Sequence, residues 1–368
     1  MIRKAVLTAL LLCLLLTAAF PGVVRAGDGL SVISNSAVME FPSRLVFDIA
    51  AESDADITDI RLHYRVDRME HARITSEIYV GFTPARSVDA QWVWDMRMTG
   101  GLPPGSGVSY WWTVTDAQNN TVRTEPQSIL IEDNRYDWRS LTEGQVTLYW
   151  YKGDDDFAEA LMEFSQQALG RLEANTGAAL ENPVRIYIYA SSADLQGSMI
   201  YPQEWTGGVA YTRYGVVAMG ISPSGFDFDW GERVISHELT HLVIHQITFN
   251  PYSGLPTWLD EGLAMSSEGE LQASFLNVLE RARKESRLIT VRSLASPFSV
   301  YADESLLAYG QSYMLVTYLI DEYGRDKMFE LLRTFRQGSS YDEALEQVYG
   351  FDMDGLNTRW RADFEVAQ

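Results

Sequence analysis

Cysteine is almost missing from this chain. Its 368 residues hold one, Cys13, which lies inside an apolar N-terminal run and not at the end of it. Disulfides and thiolate-bound zinc are therefore excluded from the rest of the chain, and a cysteine in that position does not support a lipoprotein signal. Long apolar stretches are equally scarce: after residues 5–20 none approaches the ~20 residues of a bilayer span, so no membrane span is expected in a mature chain. Positive charge is short too, with 29 Lys and Arg against 50 Asp and Glu, a net of −21. Such a surface repels phosphate backbones and anionic lipid, which argues against nucleic acid as a partner.

The opening segment MIRKAVLTALLLCLLLTAAFPGVVRA has Arg3 and Lys4 in front, the apolar run, and a V-R-A ending at Ala26. This reads as a secretory signal peptide over residues 1–26, cut after Ala26, and places the protein outside the cytoplasm. An uncleaved anchor is the alternative, against which stand the shortness of the run and the Pro21-Gly22 break. Cleavage would remove Arg3, Lys4 and Arg25 and no acid, taking the net charge from −21 to −24.

Two domains are expected in the remaining chain. Over residues 27–135 the pattern has period two: in DIRLHYRV, Ile60, Leu62, Tyr64 and Val66 alternate with Asp59, Arg61, His63 and Arg65, and VSYWWTVT behaves alike. Turn clusters such as GGLPPGSG at 100–107 separate these runs. About seven short strands are expected, a β-sandwich resembling immunoglobulin or fibronectin type III domains by pattern. His63 falls on the charged face of its strand and reads as a solvated residue. Over residues 136–368 the rhythm becomes α+β: strand QVTLYWYK, helix DDDFAEALMEFSQQALGRLEANTG, strand PVRIYIYA, then mostly helix from Trp258 onward.

Three of the chain's five histidines crowd into VISHELTHLVIH, residues 234–245. On a helix i and i+4 lie one above the other, so His237 and His241 can point two imidazoles at one ion while Glu238 reaches the space beside it. This is the H-E-x-x-H arrangement in which histidines bind zinc and the glutamate takes a proton from water. Asp227 or Asp229 is placed to cap the helix, Val234, Ile235, Leu242 and Val243 to pack it, and Asn250-Pro251 to stop it. Catalytic zinc usually takes a third protein ligand. His245 lies about 6 Å further along the same helix, and a straight helix cannot gather i, i+4 and i+8 round one tetrahedral ion, so it reads as a supporting or packing residue. A carboxylate from LPTWLDEGLAMSSEGE, residues 255–270, is the better candidate, Asp260 and Glu261 lying near the start of a second helix.

Here the chain resembles the gluzincin metallopeptidases, specifically the peptidase MA-like group. His237-Glu238-Leu239-Thr240-His241 is followed after nineteen residues by Glu261 within W-L-D-E-G-L-A. The resemblance implies Zn²⁺ held by His237, His241 and Glu261, with peptide or protein substrates. The spacing is one residue longer than in the related aminopeptidases, which leaves Asp260 as a rival ligand, although the surrounding letters favour Glu261. Glu268 matches an acid that supports a ligand histidine in this group. Tyr309, in AYGQSYMLVTYLIDEYG, matches a tyrosine that hydrogen-bonds the oxyanion, with Tyr313 second. YGVVAMGI resembles the edge strand along which gluzincins lay substrate. The G-x-M-x-N signature for free amino termini is absent, since residues 207–215 read GGVAYTRYG, so aminopeptidase action is not implied.

The expected whole is an N-terminal all-β sandwich followed by an α+β zincin-like domain, largely helical after the histidine helix. Its expected activity is zinc-dependent peptide hydrolysis with Glu238 as general base and Tyr309 at the oxyanion. A non-enzymatic alternative makes the sandwich the working part, an extracellular binding module presenting Trp92 and Trp111, with an inactive zinc helix. Those tryptophans read better as packed residues.

Overall fold

The computed structural model describes residues 24–25, 29–203, 206–224, 228–252, 254–299 and 301–366. The segment read as a signal peptide, with its expected cut at Ala26, lies almost wholly outside them, as does Asp227. No helix among the described residues is long and apolar enough to cross a membrane.

The N-terminal strands are β1 (Val24–Arg25), β2 (Ser31–Glu40), β3 (Arg44–Val66), β4 (Ser76–Tyr79), β5 (Ala85–Asp95), β6 (Gly107–Asp116), β7 (Thr121–Arg123) and β8 (Gln127–Leu130). The expectation of about seven short strands is corrected in one respect. β3 runs for 23 residues and belongs to two sets of partners: residues 44–52 pair with β2 and β5, residues 57–66 with β4 and β6. Register shifts lie between Glu52 and Asp59, where the strand passes from one set to the other. Alternation on both sides of that shift turns Phe47, Ile49, Ile60 and Leu62 inward with Trp112 and Val114, so the folded sheet encloses one core.

His63 is not solvated as expected. It stands opposite Trp111 in the ladder, stacks on that ring at 5.3 Å and 4°, and its Nε2 lies 3.0 Å from Thr113 Oγ1. Trp111 is itself buried, with Arg65 and Arg123 over its ring at 5.1 and 5.0 Å. Trp92 packs on Phe47 and Tyr64, each at 5.8 Å. Neither tryptophan offers the open aromatic face a binding platform needs.

The second sheet is ordered β12-β13-β11-β10-β9, from β9 (Arg139–Glu143), β10 (Val146–Trp150), β11 (Val184–Tyr189), β12 (Gly208–Tyr211) and β13 (Val216–Gly220). The inner three are parallel and the outer two antiparallel to their neighbours. The edge strand is thus GVAY, not the expected YGVVAMGI, which forms the fully buried β13 one place further in. Helices α1 (Asp155–Thr176), α2 (Ser192–Gln196), α3 (Phe228–Thr248), α4 (Thr257–Ser267), α5 (Ala273–Lys284), α6 (Val291–Leu294), α7 (Ala302–Tyr323), α8 (Arg325–Arg336), α9 (Tyr341–Tyr349) and α10 (Met353–Val366) complete the chain. Local chemistry sets their ends. Asp154 caps α1 by accepting from Phe157 N, and Gly177, left-handed at φ 75°, closes it.

α3 is wedged between two apolar masses. Ile235, Leu239 and Leu242 face the sheet and α1, while Val243, Ile244 and Ile247 face a helical core with Trp258, Leu259 and Leu263 of α4 and Leu315 of α7. His237, Glu238 and His241 lie on the stripe of α3 left between these two masses. The β region meets this domain through buried Asp133, which takes Arg135 at 2.6 and 2.7 Å and the Tyr189 hydroxyl at 2.9 Å, and through Met69 N donating to Arg213 O at 2.6 Å.

α4 and α7 touch backbone to backbone at Gly262, where a Cβ would lie 2.4 Å from Ser312 O and 2.6 Å from Val316 Cγ2. Alanine there gains up to about 1 kcal/mol of helix propensity, but a rigid carbonyl cannot yield as a side chain does. Gly262→Ala is expected to destabilise the protein by roughly 1–3 kcal/mol. Thermal unfolding reads this as a lower midpoint; an unchanged midpoint would show that the two helices separate freely.

Candidate metal centre and cleft

The polar stripe of α3 carries His237, Glu238 and His241, and the turn after it folds α4 back so that Glu261 arrives opposite. The ligand atoms of His237, His241 and Glu261 all fall within 4.8 Å of one another. The two Nε2 atoms are 3.2 Å apart, and Glu261 Oε2 is 3.5 Å from that of His237 and 3.6 Å from that of His241. Ligands at ~2.0–2.1 Å from a tetrahedral ion are separated by about 3.3 Å. The observed triangle matches that spacing. Among the described residues Glu261 Oε2, which is buried, also has no hydrogen-bond partner, a costly state for a carboxylate oxygen unless a cation satisfies it.

Each imidazole has a carboxylate behind it. Glu268 Oε1 lies 2.8 Å from His237 Nδ1, and Asp260 Oδ1 lies 3.1 Å from His241 Nδ1. Glu268 therefore takes the supporting position read from the sequence. Asp260, the rival ligand, is corrected: it sits on the far nitrogen of His241, leaving Glu261 to face both Nε2 atoms. Sequence reasoning missed that role, although the signal was present in the need of each ligating histidine for an acceptor on its other nitrogen. Both acceptors come from α4 and its C-terminal cap, and Ser267 binds that helix to α3, its hydroxyl 2.9 Å from Ser236 O and 2.8 Å from Thr240 Oγ1.

Four carboxylates thus surround two imidazoles, and the electrostatics reflect it. Burial lowers the His237 pKa, but Glu261, Glu268 and Glu238 together carry it well above the ordinary value. Burial likewise lowers that of His241, and Asp260 raises it past its ordinary value. Burial pushes the Glu238 carboxyl up, against the opposing pull of the two histidines.

Glu238 and His237 open onto a cavity of about 480 Å³ that Gly208, Glu268 and Tyr309 also line. Tyr309 is set edge-to-face on Phe298 at 5.1 Å, and burial, followed by Glu261 and Glu238, holds its phenol far above the usual range. Tyr313, one turn along α7, is not among the residues lining that cavity. Edge strand β12 passes directly over Glu238: a Cβ on Gly208 would lie 2.9 Å from Glu238 Oε1. Val234 is half-buried beside it, and Asp229 falls inside the first turn of α3 instead of at its cap. On the other side of His241 lies a second cavity of about 400 Å³, lined by Arg213, His245, Phe249 and Asp260. His245 packs on Phe249 at 5.3 Å, and its buried Nε2 has no hydrogen-bond partner among the described residues.

Glu268→Ala and Asp260→Ala are each expected to weaken metal affinity by about 10–100-fold, read by competition with a chromogenic chelator; unchanged affinity would assign both acids a purely structural role. Ligation requires neutral imidazoles, and both histidines hold protons above their ordinary range. Metal should therefore be lost as pH falls, beginning at a higher pH than for an isolated histidine pair.

A family model described as "Peptidase MA superfamily" matches residues 164–366, from within α1 to the end of α10 and including the whole centre. No curated protein matches the chain. Among solved structures, an M1 zinc metallopeptidase from Deinococcus radiodurans is 14% identical, covering 93% of this chain and 95% of that one at a TM-score of 0.39. Legionella pneumophila aminopeptidase A is 10% identical over 90% of this chain and 50% of that one, at 0.40. Superpositions that loose transfer no residue roles, and membership rests on the family match, which spans more than half of the chain and contains His237, His241 and Glu261. The chain belongs to the Peptidase MA superfamily.

Proposed function

We propose that this protein is a zinc-dependent peptidase acting outside the cytoplasm. The observation that carries the reading is the triangle of His237 Nε2, His241 Nε2 and Glu261 Oε2 at 3.2–3.6 Å, with its buried and otherwise unpartnered carboxylate oxygen. Two imidazoles and a carboxylate are a donor set suited to zinc, and they leave one position of a tetrahedral ion for water or substrate. When bound there, zinc would acidify water and polarise the scissile carbonyl. The extracytoplasmic location is supported by the N-terminal run with its flanking Arg3, Lys4 and V-R-A.

The remaining work falls to the chain. Glu238, on the same stripe as the ligands, accepts the proton of the attacking water and passes it to the leaving amine. Burial raises its pKa above the ordinary carboxylate range, which makes the carboxylate a stronger acceptor for that proton. Tyr309, kept protonated by burial, donates its O–H to the developing oxyanion. β12 offers an unpaired main-chain edge above Glu238 for an extended peptide, and glycine at 208 lets that backbone approach closely.

The test is digestion of a mixed peptide library by zinc-loaded protein, with and without chelator and beside Glu238→Gln. Cuts should vanish with chelator, and Glu238→Gln should lower turnover by at least roughly 10²–10⁴-fold while retaining metal. Full activity in Glu238→Gln would remove the general base from the mechanism. Cuts that survive complete metal removal would remove zinc.

A further inference from the structure

We propose that the cavity on the His241 side of the centre is a carboxylate subsite in which Arg213 binds a carboxylate of the peptide substrate, supplied by an acidic side chain near the scissile bond or by the peptide's own C-terminus. This deepens the peptidase reading and rests on it.

The cavity shares a wall with the centre, because His241 and Asp260 line it, and its volume of about 400 Å³ falls within the roughly 300–1,000 Å³ usual for ligand pockets. Arg213 lies on the short turn that follows β12, so a peptide paired along that strand runs towards it. The turn is fixed from outside by the 2.6 Å hydrogen bond from Met69 N to Arg213 O. The guanidinium is exposed and makes no ion pair among the described residues. The acids around it are engaged elsewhere. Glu70, close enough for its charge to be felt, takes Arg68 Nε at 3.0 Å and Ile74 N at 3.2 Å. Asp260 is held by His241.

A planar guanidinium without an ion-pair partner among the described residues, at the wall of a cleft in a chain of net charge −21, is a local exception to the prevailing sign. Carboxylate is the chemistry its fork matches. His245 lines the same cavity beside Arg213, with its Nε2 buried. The β region takes part as well: His71 stacks on Phe249 at 4.3 Å and 6°, holding the aromatic wall against which His245 packs.

The experiment compares fluorescent pentapeptides that differ by Glu or Gln at one position and by a free or amidated C-terminus. They are offered to zinc-loaded wild type, Arg213→Ala and Arg213→Lys. In wild type the kcat/KM ratio of carboxylate peptide to its amide counterpart should exceed unity by roughly 10–100-fold. It should collapse towards one in Arg213→Ala and recover in part in Arg213→Lys. Whether Glu against Gln or free against amidated terminus produces the ratio identifies the source of the carboxylate. A wild-type ratio near one, or a ratio that Arg213→Ala leaves intact, overturns the proposal. Binding of the same peptides to Glu238→Gln, followed by fluorescence anisotropy, separates the two readings. No cleavage by wild type with Arg213-dependent binding would sink the peptidase and leave the subsite standing; cleavage without Arg213 dependence does the reverse.

Discussion

Two hydrogen bonds, Glu268 to His237 and Asp260 to His241, set the geometry on which everything else at the cleft depends. Each fixes a ring orientation and leaves the opposite nitrogen facing Glu261. Glu261 and both acceptors lie on one helix of eleven residues or its C-terminal cap, so a single rigid element fixes the third ligand and the tilt of the other two. That element is held from both sides, by the hydroxyls of Ser267 and Thr240 against α3 and by the glycine contact against α7. The packing is costly to alter because the wedged helix α3 has apolar neighbours on two faces, and any rotation to relieve one face exposes another.

The centre was legible because its information is local. Four-residue spacing places His237 and His241 on one face of any helix, and the geometry of α3 does not depend on what surrounds it. Glu261 was legible only through letters around it, since nineteen intervening residues include a turn whose path no periodicity specifies. Asp260 illustrates the limit: its identity is plain, but whether it meets Nε2 or Nδ1 of His241 depends on how α4 docks. Strand order is non-local in the same way. GVAY is four residues long with a glycine at its head and carries little strand signal, while the strongly apolar VVAMG takes the inner place its composition suits.

In the β region the alternation told which residues share a face but not what lies opposite them. His63 looked solvated among charged neighbours, and its cross-strand partner happens to be Trp111. The polar stretch from Glu52 to Asp56 interrupts the alternation as a turn would, yet it marks a register shift within one continuous strand. The junction also bears on function. Met69 anchors the turn bearing Arg213 and His71 braces Phe249, so the β region shapes one wall of the cleft instead of hanging beside it.

The length of β3 carries a consequence for how that region comes apart. Because one strand hydrogen-bonds β2 and β5 with one half and β4 and β6 with the other, neither layer can peel away without stripping the shared strand from its remaining partners. Partial openings that release a single layer are thereby penalised, and the region should behave as one cooperative foldon, its amides exchanging together through a common opening. Met69 and His71, which brace the cleft, sit in the loop joining β3 to β4, so such an opening would also free the loop that holds the cleft wall.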